Sequence, residues 1–178
     1  MKYFVVSDIH GSVACLNMAL RWYTEEMFDG ILLLGDILYH GPRNDLPFGY
    51  SPKEVIPVTN GLCNVITAVR GNCDSEVDQM VLQFPIMQTS VILPLASHTV
   101  LMTHGHHMEE IEKYPQCDIV LSGHTHISGY EKSDRWYLNP GSVSIPKGNG
   151  IRSYAILSDT EFEVHDISDN SVISKVQF

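Results

Sequence analysis

Cysteine is scarce and scattered in this 178-residue chain. Cys15, Cys63, Cys73 and Cys117 form no C-x-x-C pair, a distribution that suits a reducing compartment and argues against a disulfide framework. Basic residues are few as well: 11 Lys and Arg stand against 21 Asp and Glu, for a formal charge of −10. That balance argues against stable binding to nucleic-acid backbone, which depends on cations neutralising phosphates. It does not forbid a small phosphate substrate, because a bound cation makes its own locality positive. No apolar stretch approaches the roughly 20 residues that span a bilayer. The run from Tyr3 to Val6 is closed by Ser7 and Asp8 before it reaches signal-peptide length. A cytoplasmic protein without a membrane partner is therefore the expectation. Internal repeats, low-complexity tracts and Gly/Pro/Ser-rich linkers are missing too. With 44% hydrophobic residues, one domain over residues 1–178 is predicted.

Apolar runs alternate with amphipathic segments, the pattern of an α/β chain. Tyr3 to Val6 and Ile31 to Leu34 read as buried strands. Between them Val13, Leu16, Leu20, Tyr23 and Met27 recur at three- and four-residue intervals, predicting a helix of some four turns. Ser51-Pro52-Lys53-Glu54 announces a second helix with a capping box, which Pro57 should bend or shorten. A strand over 65–69, a short helix from Ser75 and strands over 91–93, 100–103 and 119–121 follow. After Tyr137 come three closely spaced strands over 153–157, 161–166 and 172–176, predicted to be antiparallel.

Five short motifs close these apolar runs: Asp8-Ile9-His10, Gly35-Asp36, Gly71-Asn72, Thr103-His104-Gly105 and Gly123-His124-Thr125-His126. Taken alone, each reads more readily as a cap, a turn or a structural residue than as a ligand. Their recurrence after buried strands points to convergence at one sheet edge. Asp8, His10, Asp36, Asn72, His104, His124 and His126 supply imidazole, carboxylate and amide donors without a thiolate. Such a set suits Mn²⁺, Fe, Zn²⁺ or Ni²⁺ better than the oxygen-seeking Ca²⁺ or Mg²⁺, with Mn²⁺ the first choice. Asp36 has two oxygens with which to bridge two metals.

In this order the blocks resemble the calcineurin-like metallophosphoesterases. The resemblance narrows to the small bacterial YfcE-type phosphodiesterases through Ser7-Asp8-Ile9-His10-Gly11, His40-Gly41-Pro42-Arg43-Asn44, Arg70-Gly71-Asn72-Cys73-Asp74 and Asn139-Pro140-Gly141-Ser142. It implies a four-layer αββα sandwich with the metals at the C-terminal edge of the strands. One metal would take Asp8, His10, Asp36 and His126, the other Asp36, Asn72, His104 and His124. The implied reaction is hydrolysis of small phosphodiesters by a hydroxide bridging the metals, with Asp36, Asn72 and Cys73 nearest the chemistry. Phosphomonoester hydrolysis is an alternative, as is a non-catalytic protein-binding scaffold like the small retromer subunit. The latter has lost ligand identities that are all present here. The resemblance also suggests a homo-oligomer.

Many larger relatives carry a histidine where Cys73 stands. A thiol can donate a proton but cannot act as a cation, which favours substrates with good leaving groups. A small packed residue is the alternative role for Cys73. The loop from Tyr39 to Lys53 could bring Arg43 over the metals to bind a phosphate oxygen, or simply be shaped by Pro42 and Pro47. His106 is a candidate substrate contact or support for a ligand. Asn139 and Ser142 either orient a ligand histidine or form a plain turn. His98 and His165 carry no motif and are expected at the surface.

Overall fold

Alternation along the first apolar run decides the layering. In the computed structural model, which describes residues 1–178, that run sends Phe4 and Val6 into one core and Val5 into another. In chain order the elements are β1 (Lys2–Val6), α1 (Val13–Leu20), β2 (Gly30–Leu33), α2 (Pro52–Asn60), β3 (Ile66–Ala68), α3 (Glu76–Gln79) and β4 (Ser90–Leu95). There follow β5 (His98–Thr103), a 3-10 helix (Met108–Lys113), β6 (Ile119–Leu121), β7 (Gly129–Lys132), β8 (Trp136–Asn139), β9 (Ser153–Ser158), β10 (Glu161–Asp166) and β11 (Val172–Gln177).

The strands form a six-stranded sheet, ordered β11-β10-β9-β1-β2-β3, and a five-stranded sheet, ordered β4-β5-β6-β8-β7. Val5, Leu32 and Leu34 of the first sheet share a buried cluster with Met102, Ile119 and Leu121 of the second, which holds the two face to face. Leu16, Ala19 and Val55 of α1 and α2 pack on the outer face of the first sheet. Ile111 of the 3-10 helix packs with Leu101 and Val120 on the outer face of the second. The αββα sandwich is thus present, with a fourth layer only one short helix thick. No helix is long and apolar enough to cross a membrane.

In the first sheet β1, β2 and β3 run parallel, as do β5, β6 and β8 in the second. The C-terminal ends of the two parallel sets supply the loops of the site. The antiparallel tail β9–β11 matches expectation, with β9 inserted against β1.

Four expectations are corrected by packing. Helix α1 ends at Leu20 rather than Met27: Trp22 turns to donate its indole N–H to the Ile167 carbonyl, and Tyr23 stacks on Phe28. Ser51 caps α2 without its hydroxyl, its own N–H being held by the Gly11 carbonyl at φ −155° and ψ 78°. Pro57 lies inside α2 without ending it, and hydrogen bonding resumes with the Gly61 N–H on the Pro57 carbonyl. His165 is buried, stacked on Tyr154 and bonded to Glu163, while His98 is largely covered and paired with Asp118.

Candidate metal centre

Left-handed backbone marks the site before any side chain is considered. Asp8, His10, Asp36, His124 and His126 all have φ between 47° and 64°, and Ala96 and Asn170 are the other non-glycine residues with positive φ. L-residues avoid this region at a cost of about 1–3 kcal/mol each. Here the strained turns aim five donor side chains back over the strand ends they have just left.

Neighbouring backbones approach too closely for side chains. A Cβ on Gly71 would fall on the Asp36 carboxylate and amide, and one on Gly123 would fall on Ser7 and Asp8. Both glycines are therefore fixed by the approach of ligand-bearing loops. Asp74 is buried and accepts the N–H groups of Asp36, Ile37 and Gly71 at 2.7–2.8 Å, tying the second and third loops together. Burial pushes its carboxyl up to about 6, against the pull of those donors. The Asp8 carbonyl accepts both the Ser142 and Ser144 hydroxyls, at 2.8 and 2.9 Å. Asn139 donates to the Gly123 carbonyl and to Thr125 Oγ1. Asn139 and Ser142 thus position ligand backbones and touch no histidine ring.

Inside this frame the donors converge. His10 Nε2 lies 3.3 Å from His126 Nε2 and 3.6 Å from Asp36 Oδ2. His126 Nε2 is 3.2 Å from Asp8 Oδ1. His104 Nε2 is 3.1 Å from Asn72 Oδ1 and 3.5 Å from Asp36 Oδ2. His124 stands with its ring centroid 5.1 Å from that of His104. The seven residues singled out by motif come together at one edge. Asp36 differs in detail: Oδ2 faces both His10 and His104, whereas Oδ1 accepts the Cys73 N–H at 2.8 Å.

This donor set fits a cation. The Nδ1 atoms of His10, His104 and His126 lie 2.5–2.8 Å from the carbonyl oxygens of Tyr39, Leu34 and Ile145. A carbonyl only accepts, so each Nδ1 carries a proton and each Nε2 faces inward, its lone pair available to a cation that displaces any proton held there. Asp8 Oδ1 is fully buried among them without a hydrogen-bond partner. Converging lone pairs and carboxylates repel one another unless positive charge sits between them. The same field acts on the titrating groups. Burial works against the Asp36 carboxylate, yet the adjacent His104 holds it at about 2. Burial likewise disfavours charged His104, but Asp36 and Asp8 raise it to about 9. Burial and the Asp36 charge push the Cys73 thiol up to about 12.

A cleft of about 400 Å³ opens over these donors. His10, Asp36, Asn72 and His124 form its floor; Gly41, Pro42, Arg43 and Asn44 form one wall, with Cys73 and Lys147 completing it. Arg43 thus lines the cleft, the first of the two placements that the loop left open. His106 lines a different cavity of about 300 Å³ with Thr89, Ser90 and Glu109. Burial, followed by the charges of neighbouring histidines, lowers it to about 4. Lys147 had no motif to announce it, since a lone lysine in a Gly/Asn-rich loop carries no spacing signal.

The calcineurin-like phosphoesterase superfamily domain model matches residues 1–161. The chain is 41% identical to Phosphodiesterase YfcE of Escherichia coli (strain K12) over 179 residues, covering 99% of this chain and 97% of the relative. The solved structure of YfcE, described as a phosphoesterase from E. coli, superposes with a TM-score of 0.89 at 38% identity, over 99% of this chain and 98% of that one. The probable metallophosphoesterase YsnB of Bacillus subtilis (strain 168) is 26% identical over 172 residues, 89% of this chain and 84% of the relative.

Proposed function

The chain belongs to the calcineurin-like phosphoesterase superfamily, and from that premise we propose that it is a metal-dependent phosphodiesterase acting on small diesters in the cytoplasm. The observation that carries this reading is the inward set of histidine lone pairs around the unpartnered Asp8 oxygen. Two ions are proposed, Mn²⁺ first among the candidates. Asp8, His10, Asp36 and His126 would hold one, and Asp36, Asn72, His104 and His124 the other. When bound, such a pair supplies Lewis-acid charge for phosphoryl oxygens and an acidified water.

The chain's own residues supply position. Backbone carbonyls fix the three imidazoles, so the Nε2 atoms need no reorganisation during the reaction. The Asn72 amide donates to Cys73 Sγ at 3.3 Å, which turns Asn72 Oδ1 toward His104. Arg43, which lines the cleft, would bind a non-bridging phosphate oxygen. The Cys73 thiol stays neutral beside Asp36 and gives the leaving oxygen no cationic partner. Diesters with good leaving groups are therefore favoured over unactivated esters.

The test is hydrolysis of bis(p-nitrophenyl) phosphate beside p-nitrophenyl phosphate by metal-stripped protein with Mn²⁺ returned, together with metal analysis of the loaded protein. Metal-dependent diester turnover, two ions per chain, and loss of turnover by about a hundredfold or more in Asp36→Ala and His124→Ala are expected. Turnover of the monoester alone would favour a phosphatase. Silence on both with every candidate metal would favour the scaffold.

A further inference from the structure

Positive charge is sparingly distributed in this protein, and most of it is already engaged. Of the 11 Lys and Arg side chains, Arg70, Lys113, Arg135 and Lys175 are in ion pairs. Arg21 and Arg152 donate to carbonyls, while Lys2 and Lys132 lie over aromatic rings. Arg43, Lys53 and Lys147 remain without a protein partner. Two of these three, Arg43 and Lys147, line the same cleft, reaching it from loops more than a hundred residues apart in sequence.

Lys147 is held in register with the site: its N–H donates to the His126 carbonyl at 2.9 Å. The next residue, Gly148, turns the chain with φ +70°. The ammonium thus projects from a fixed backbone, beside a floor whose donors would hold the metal ions and, through them, the reacting phosphate. A simple phosphodiester carries one negative charge, which metal ions on that floor neutralise by themselves. With Arg43 assigned to the reacting phosphate, Lys147 is a further unpaired cation in a protein of net charge −10, and a substrate with additional negative charge matches it. The cleft's ten lining residues include one hydrophobic side chain, so an apolar ester arm finds little surface to bury. Arginine grips phosphate through paired N–H groups and lysine as a point charge.

We infer that Lys147 is a specificity-determining residue that selects phosphodiesters bearing a second phosphate group on one ester arm. The inference rests on the phosphodiesterase reading above. The second phosphate gains its attraction before and during reaction alike, so its effect falls mainly on KM.

Two chromogenic substrates differing by one phosphate isolate the effect: thymidine 5′-(p-nitrophenyl phosphate) and its 3′-phosphorylated counterpart. Wild type should favour the 3′-phosphorylated substrate by about tenfold in kcat/KM, the worth of one charge-assisted contact. The ratio should fall to about one in Lys147→Ala, drop below one in Lys147→Glu, and shrink with added salt. Lys132→Ala, on the far edge strand, should retain the wild-type ratio. Calorimetric binding of thymidine 3′,5′-bisphosphate against thymidine 5′-monophosphate gives the same comparison without turnover. An equal rate on both substrates in wild type, or a Lys147→Ala ratio unchanged from wild type, overturns the inference while leaving the phosphodiesterase reading intact. Absence of turnover on bis(p-nitrophenyl) phosphate overturns that reading instead, and the calorimetric ratio then decides the role of Lys147 by itself.

Discussion

At the scale of the residue, the site is built from conformations its side chains do not prefer. His124 has φ 64° and is partly exposed, so its backbone is held by its neighbours rather than by the burial of its ring. Replacing it with alanine removes the donor but keeps the left-handed strain; glycine removes both. Both variants should lose activity, whereas His124→Gly should be more stable to urea than His124→Ala by about 1 kcal/mol. Equal midpoints would show that the strain is relieved elsewhere. The proposed ligands are named from five short motifs, because residue type and order are properties of sequence. Their left-handed backbone was not, since it arises when loops from separate strands meet. The Asp36 carboxylate illustrates the difference. Two oxygens were available by composition, but the Cys73 N–H, brought near by the third loop, takes one of them.

Among the elements, legibility followed burial. β6 and β10 fall where their apolar patterns put them, β1 starts one residue earlier, and β2 is shifted by one residue at both ends. β7 escaped notice because three of its four residues are exposed, which leaves no alternation to read. α1 was overextended because Tyr23 and Met27 continue its spacing through a segment that turns for tertiary reasons. The start of β5 shows how a loop residue settles register: Asp118, just before β6, accepts the Thr99 N–H at 2.8 Å and pairs with His98. Partial burial works against the Asp118 carboxylate, but these two donors hold it below the ordinary range. A carboxyl lowered in the folded state contributes stability above its unfolded pKa of about 3.9 and loses it as pH falls through the folded value. The pair is half open to solvent, so its worth is a few tenths of a kcal/mol. Asp118→Asn should therefore lower stability slightly at neutral pH and flatten the acid limb of the profile below about pH 4. An acid limb identical to that of wild type would remove this pair from the account.

Across the whole molecule, the site is a seam between two sheets. Asp8, Asp36 and Asn72 follow strands of the first, while His104, His124 and His126 follow strands of the second. A cation held by both sides therefore braces the sandwich as well as equipping the cleft. Mn²⁺ at a thousandfold excess over its Kd should stabilise the protein by about 4 kcal/mol, seen as a rise in Tm. Asp36→Ala should show little of that rise, and an equal rise in the variant would place the stabilising ion elsewhere. The insertion of β1 between β2 and β9 has a further consequence in time. On the ribosome Asp8 and His10 emerge first, yet the strand before them lacks one neighbour until residues 153–158 are made. The serines that clasp the Asp8 carbonyl come only shortly before. A nascent chain that lacks β9 can offer passing ions only an unbraced ligand set, so the choice of metal is deferred until residues 153–158 are made.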